Sequence, residues 1–88
     1  MENRNEILNF VKKLNETYDD YTFDVTFGRK YARVITSPKL GAGRSAWGFV
    51  DTNGDIWKPA GWNSPTKNFS RGNIAEDFNI EKFRYSAN

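Results

Sequence analysis

The stretch that decides the fold is Tyr21-Thr22-Phe23-Asp24-Val25-Thr26-Phe27-Gly28-Arg29-Lys30-Tyr31-Ala32-Arg33-Val34-Ile35-Thr36. Tyr21, Phe23, Val25 and Phe27 alternate with Thr22, Asp24 and Thr26. A period of two places the aromatic and branched residues on one face of a strand and the polar ones on the other. Gly28-Arg29 then suits a two-residue hairpin with glycine first. The return strand covers 30–36, with Tyr31, Arg33 and Ile35 on one face and Ala32 and Val34 on the other. Two strands with one apolar face need a cover, and the chain before them supplies it.

Ile7, Phe10, Val11, Leu14 and Tyr18 follow i, i+3, i+4 spacing, the apolar stripe of an amphipathic helix. Asn3 is placed to cap it, with Glu6 as the other half of a capping box. Lys12 and Glu16 sit four apart and suit a weak surface pair. The helix should end near Glu16–Tyr18.

Downstream of the hairpin, the run 37–43 reads as a loop. A third strand spans 44–51, with Trp47 and Phe49 on a shared face. Asp51-Thr52-Asn53-Gly54 is a turn, and 55–58 returns as a short fourth strand. Pro59 ends the ladder on that side. Residues 60–71 have no clean period and read as an ordered, irregular segment pinned by Trp62 and Phe69. Gly72-Asn73 suits the cap of a helical turn completed by Glu76, with Ile74 and Phe78 inward. The tail 79–85 is ambiguous: Ile80 and Phe83 suit a helix, Phe83 and Tyr85 suit a last short strand, and the strand is the reading preferred. The expectation is a single α+β domain over 1–88: an N-terminal helix packed on a twisted antiparallel meander of three to five strands.

Composition narrows the function. The 16% aromatic content argues for a folded chain rather than a disordered one. There is no cysteine and no histidine, which removes disulfides, thiolate ligands and the commonest general base. No apolar run reaches the length of a membrane span of about 18–20 residues, and the first residues lack a signal-peptide pattern. The reading is a cytoplasmic protein without a membrane partner.

Charge is unevenly placed. Residues 29–71 hold eight basic and two acidic side chains, 8 − 2 = +6, while the remainder holds five and nine, 5 − 9 = −4. A positive middle suits an anionic partner. Gly41-Ala42-Gly43-Arg44-Ser45-Ala46 has the letters of a dinucleotide fingerprint, but a strand follows it where a helix is required. It reads either as a flexible loop or as a loop whose N–H groups and Arg44 hold a phosphate. Asp51-Thr52-Asn53-Gly54-Asp55 resembles the start of a calcium loop. Ile56 and Trp62 stand where glycine and glutamate are needed, so no metal site is expected. Asp51, Asp55, Glu76 and Asp77 fall at turn and cap positions, and no catalytic residue and no cofactor are expected.

The stronger signal is the interleaving of Trp57, Lys58, Trp62, Lys67, Phe69 and Arg71. Aromatic faces stack on bases, and Arg or Lys meets phosphate. Trp57 and Phe69 read as core. Arg44, Lys58, Trp62, Lys67 and Arg71 form the candidate ligand site, with Gly43, Gly61 and Gly72 allowing close backbone approach. Pro59 and Pro65 restrict the loop and present its side chains at low entropic cost.

The run from Gly54-Asp55-Ile56-Trp57-Lys58 through Trp62, Pro65 and Lys67 to Arg71-Gly72-Asn73 resembles a family of small phage proteins. Their pattern is Gly-Asp-Ile/Val-Tyr-Lys-x-Ala-Ser-Trp-Lys-x-Pro-Ala-Lys, closing on Arg-Gly-Asn. Arg29–Ile35 and Phe49–Asp51 are also similar, so about half the chain is covered. Trp57, Gly61, Asn63 and Thr66 depart from the pattern, and Asn63 replaces a lysine that would meet phosphate. The resemblance implies a phage origin, and with it the host cytoplasm, but no activity. Three functions stay open. One is a non-enzymatic binder of a small phosphorylated, nucleotide-type ligand such as a defence signal, acting by sequestration. The second is a single-stranded nucleic-acid binder, and the third a structural or protein-interaction module. A net charge of +2 is modest for a protein that neutralises many phosphates, which favours the small ligand. The surplus of aromatics in so short a chain favours a homo-oligomer with the Trp62 loop near a subunit boundary.

Overall fold

A computed structural model of the chain describes residues 3–41, 43–66 and 70–75. Helix α1 spans Arg4–Thr17 and is followed by strands β1 (Tyr21–Phe27), β2 (Tyr31–Pro38), β3 (Ser45–Asp51), β4 (Asp55–Trp57) and β5 (Gly72–Asn73). The five strands form one antiparallel sheet in sequence order, β1-β2-β3-β4-β5. This is the expected α+β meander, at the upper end of the expected strand number. Among the described residues no helix is long and apolar enough to cross a membrane.

The helix forms because its apolar stripe has a sheet face to cover. Ile7, Phe10, Val11, Leu14 and Tyr18 are buried against Phe23, Ala32, Val34, Trp47, Val50 and Ile56. Each such side chain contributes about 1.5–3 kcal/mol on burial. Tyr18 takes an extended conformation while its N–H still bonds Leu14 O at 3.0 Å, which ends the helix where expected. Its start differs from expectation. Asn3 makes no side-chain cap; its Nδ2 donates instead to Asp51 O at 3.0 Å. The competing acceptor is the end of β3, and the bond ties the helix start to the sheet.

The β1–β2 turn also differs by one residue. Phe27 pairs with Ala32 and the Gly28 N–H donates to Tyr31 O at 2.9 Å, so Arg29 and Lys30 are the two central residues. No described non-glycine residue has positive φ, so this is not the glycine-first mirror-image turn. The β3–β4 turn is as read. Asp51 Oδ1 accepts the N–H of Asn53 at 2.9 Å and of Asp55 at 3.0 Å, and Gly54 provides φ +86°.

Trp47 and Phe49 do not share a face. Val34 pairs with Gly48 and Ile35 with Ala46, so Trp47 is an extra residue in β3. This bulge turns Trp47 toward the helix, where its ring lies 5.8 Å from Phe10 and is wholly buried. Phe49 keeps the outer face, edge-on to Tyr31 at 6.3 Å between centroids. Trp57 is also not core. It is half-buried on that outer face, opposite Phe49, and its Nε1–H donates to Asp51 Oδ2 at 3.0 Å.

Gly72-Asn73 forms β5 rather than a helix cap, pairing with Ile56 and Asp55. Asn73 Oδ1 still takes the Ala75 N–H at 2.8 Å, and Ile74 packs against the core. The expected roles of Lys67, Phe69, Glu76 and Phe78, and the last strand at 79–85, lie outside the described residues.

Candidate functional site

The outer sheet face, away from α1, carries Tyr31 and Arg33 from β2, Phe49 from β3 and Trp57 from β4. Beyond β4 the chain folds back on itself. Pro59 bridges Pro65, Thr66 N–H donates to Lys58 O at 2.7 Å, and the N–H groups of Ala60 and Gly61 donate to Ser64 O. These bonds make an ordered loop from a segment without a period, with Trp62 and Asn63 at its tip.

The tip crosses the outer side of β3 and reaches β2. There the Arg33 guanidinium lies over the Trp62 ring at 4.7 Å from the centroid, and its Nη2 donates to Asn63 Oδ1 at 3.3 Å. The Arg44 guanidinium, from the residue before β3, lies 5.6 Å from the same centroid. Two cations on one indole are each held by the ring quadrupole at about 0.5–1 kcal/mol when exposed. Like charges gathered on one ring repel one another, and an anion beside them would offset that repulsion. Trp62 remains 39% exposed, so the ring also keeps surface for a partner.

A cleft of about 360 Å³ lies here, lined by Arg44, Ser45, Ala46, Pro59, Ala60, Gly61 and Trp62. Gly61 is open: a Cβ built there meets nothing within 4 Å. A second depression of about 450 Å³ adjoins the β1–β2 turn and includes Arg33 and Asn63 in its wall. Among the described residues neither lining contains a carboxylate. Arg33 Nε is buried and has no acceptor, so part of that guanidinium's hydrogen-bonding capacity is unused.

The structure therefore brings Arg44, Gly61 and Trp62 together. Lys58 and Arg71 stand toward the β4–β5 side and do not line the Trp62 cleft. Lys58 O receives Thr66, and the Arg71 N–H donates to Ile56 O at 2.6 Å. The backbone of Gly72 is engaged in β5, and Gly43, at φ +99°, is exposed in the loop before β3. Lys67 lies outside the described residues. Arg33 and Asn63 were not among the expected site residues. Arg33's alternation with Tyr31 marks it as outward-facing, but its contact with a loop 29 or 30 residues downstream has no local signature. Asp51, the acid of the calcium-like run, has Oδ1 on turn N–H groups and Oδ2 on the Trp57 indole. Among the described residues no group of three or more His, Cys, Asp or Glu could hold a metal ion.

A family model described as a family of unknown function (DUF7717) matches residues 1–88. No curated protein and no solved structure matches the chain.

Proposed function

We propose a function for a chain that belongs to this family of unknown function, DUF7717: it is a non-enzymatic binder of a small phosphorylated, nucleotide-type ligand. The observation that carries the reading is the convergence of Arg33 and Arg44 on the exposed ring of Trp62. A guanidinium offers a planar fork for phosphate oxygens, and an indole offers a face for a base. Gly61 leaves the cleft floor open to close approach. A lining without carboxylate among the described residues, in a chain without histidine or cysteine, supports holding a ligand rather than converting it.

The biological setting is part of the proposal. The resemblance to small phage proteins suggests a phage product that sequesters a host nucleotide signal in the cytoplasm. A homo-oligomer with the Trp62 loop near the subunit boundary would extend the modest core of an 88-residue chain. Sedimentation that shows only monomer at about 50 µM, a concentration at which even weak interfaces associate, would remove that part.

Isothermal calorimetry with AMP and with a ten-nucleotide oligothymidylate, on wild type and on Arg44→Ala, tests the function. The expected result is AMP binding that weakens about tenfold in the variant, the effect of one lost charged hydrogen bond. Oligothymidylate binding that is tighter than AMP and falls steeply with salt would instead favour the single-stranded nucleic-acid reading. Binding of neither ligand would leave the loop as a structural or protein-contact element.

A further inference from the structure

The Trp62 cleft and the depression beside the β1–β2 turn are lined by consecutive residues of one loop. Trp62 lines the first and Asn63 the second. Arg33 lines the second, and its guanidinium lies over the Trp62 ring that lines the first. We propose that the two depressions are halves of one extended site, and that the ligand is a dinucleotide with an anionic group in each half. The inference rests on the phosphorylated-ligand reading of the Trp62 cleft and deepens it.

Three observations support the second half. Its rim carries Arg29 and Lys30, the central residues of the β1–β2 turn, beside Arg33 in the wall. Both are exposed. A turn without positive φ accepts most residue types, so it presents the two cations without backbone strain. Next, the wall holds an aromatic pair. Tyr31 meets Phe49 edge-to-face at 6.3 Å, and Tyr31 is only half-buried, which leaves ring surface for a second base. Finally, Arg33 directs Nη2 to the neutral Asn63, and among the described residues its Nε has no acceptor. At about 360 and about 450 Å³ each half falls within the range of small-ligand pockets, about 300–1,000 Å³.

The test compares AMP with the 5′-phosphorylated diadenylate pApA by calorimetry, on wild type and on the double variant Arg29→Ala/Lys30→Ala. Thermal melting by circular dichroism serves as the folding control. In wild type pApA is expected to bind at least about tenfold more tightly than AMP, the effect of one added charged hydrogen bond. The double variant should melt as wild type does, bind AMP unchanged and lose the advantage of pApA. If pApA binds no more tightly than AMP, or if the variant leaves its advantage intact or weakens both ligands equally, the two-part site is overturned while the Trp62 reading stands. If wild type binds neither ligand, the Trp62 reading fails and the inference fails with it.

Discussion

Asp51→Asn isolates the group that holds the β3–β4 turn and the Trp57 side chain together. In the native chain Oδ1 accepts from Asn53 and Asp55, and Oδ2 accepts from the Trp57 indole at 3.0 Å. An asparagine is nearly the same shape but has one acceptor oxygen and one NH₂ donor. With its oxygen on the turn, its NH₂ faces the indole N–H. Flipped, it faces two backbone N–H groups. In either orientation donor meets donor. A half-buried donor left unmatched costs about 1–3 kcal/mol, and replacing a charged acceptor by a neutral one adds to the loss. Because Asp51 is half-buried, water recovers part of this, and the expected cost is about 1–2.5 kcal/mol. For a domain of this size that lowers Tm by roughly 4–8 °C per kcal/mol. Urea unfolding followed by far-ultraviolet circular dichroism measures it without depending on the tryptophans. Trp57→Phe removes the indole N–H, so Asp51→Asn should cost about 1 kcal/mol less in that background. A neutral Asp51→Asn, or the same cost with Phe at position 57, would refute the role of the indole bond.

Three further perturbations probe the scaffold. Leu14→Ala opens a cavity under a wholly buried helix residue, and chemical denaturation should show a loss of about 2–5 kcal/mol. Gly54→Ala forces a side chain onto φ +86°, with its Cβ 3.1 Å from Asn73 Oδ1; thermal melting should show a loss of more than about 1 kcal/mol. Asn15 bonds both the N–H and the C=O of Phe23, at 2.8 and 3.0 Å, and so stands in for a neighbouring strand at the open edge of β1. Asn15→Ala should cost about 1–2 kcal/mol and, by baring that edge, increase concentration-dependent association in light scattering.

The sheet was legible because period-two alternation in Tyr21–Phe27 and the turn residues of Asp51–Gly54 are local signals. The helix stripe was legible for the same reason. The errors came where a distant group competed with a local one. Asn3 has the chemistry of a cap, but Asp51 O lies within reach of its amide. Gly28 suits the first place of a mirror-image turn, but its N–H bonds Tyr31 O and moves the turn to Arg29-Lys30. The face of Trp47 depends on a bulge, and the one sequence hint was Gly48 beside it, a residue that often marks a bulge inside a strand pattern. At the site, Trp62, Arg44 and Gly61 were legible by residue type. Arg33 and Asn63 were not, because the loop crosses a whole strand to meet them, and no spacing in the chain encodes that crossing.

The most direct test of the central claim follows the three indole N–H resonances in a ¹⁵N-correlated spectrum during titration with AMP. Trp47 is wholly buried, Trp57 is bonded to Asp51, and Trp62 is 39% exposed with two arginines against its ring, so the three report on separate places. Trp57→Phe and Trp62→Phe assign them. The expected result is a saturable shift of the Trp62 signal, with Trp47 and Trp57 nearly still, and loss of that response in Arg44→Ala. A Trp62 resonance that stays fixed through millimolar AMP, or a shift confined to Trp57, would contradict it.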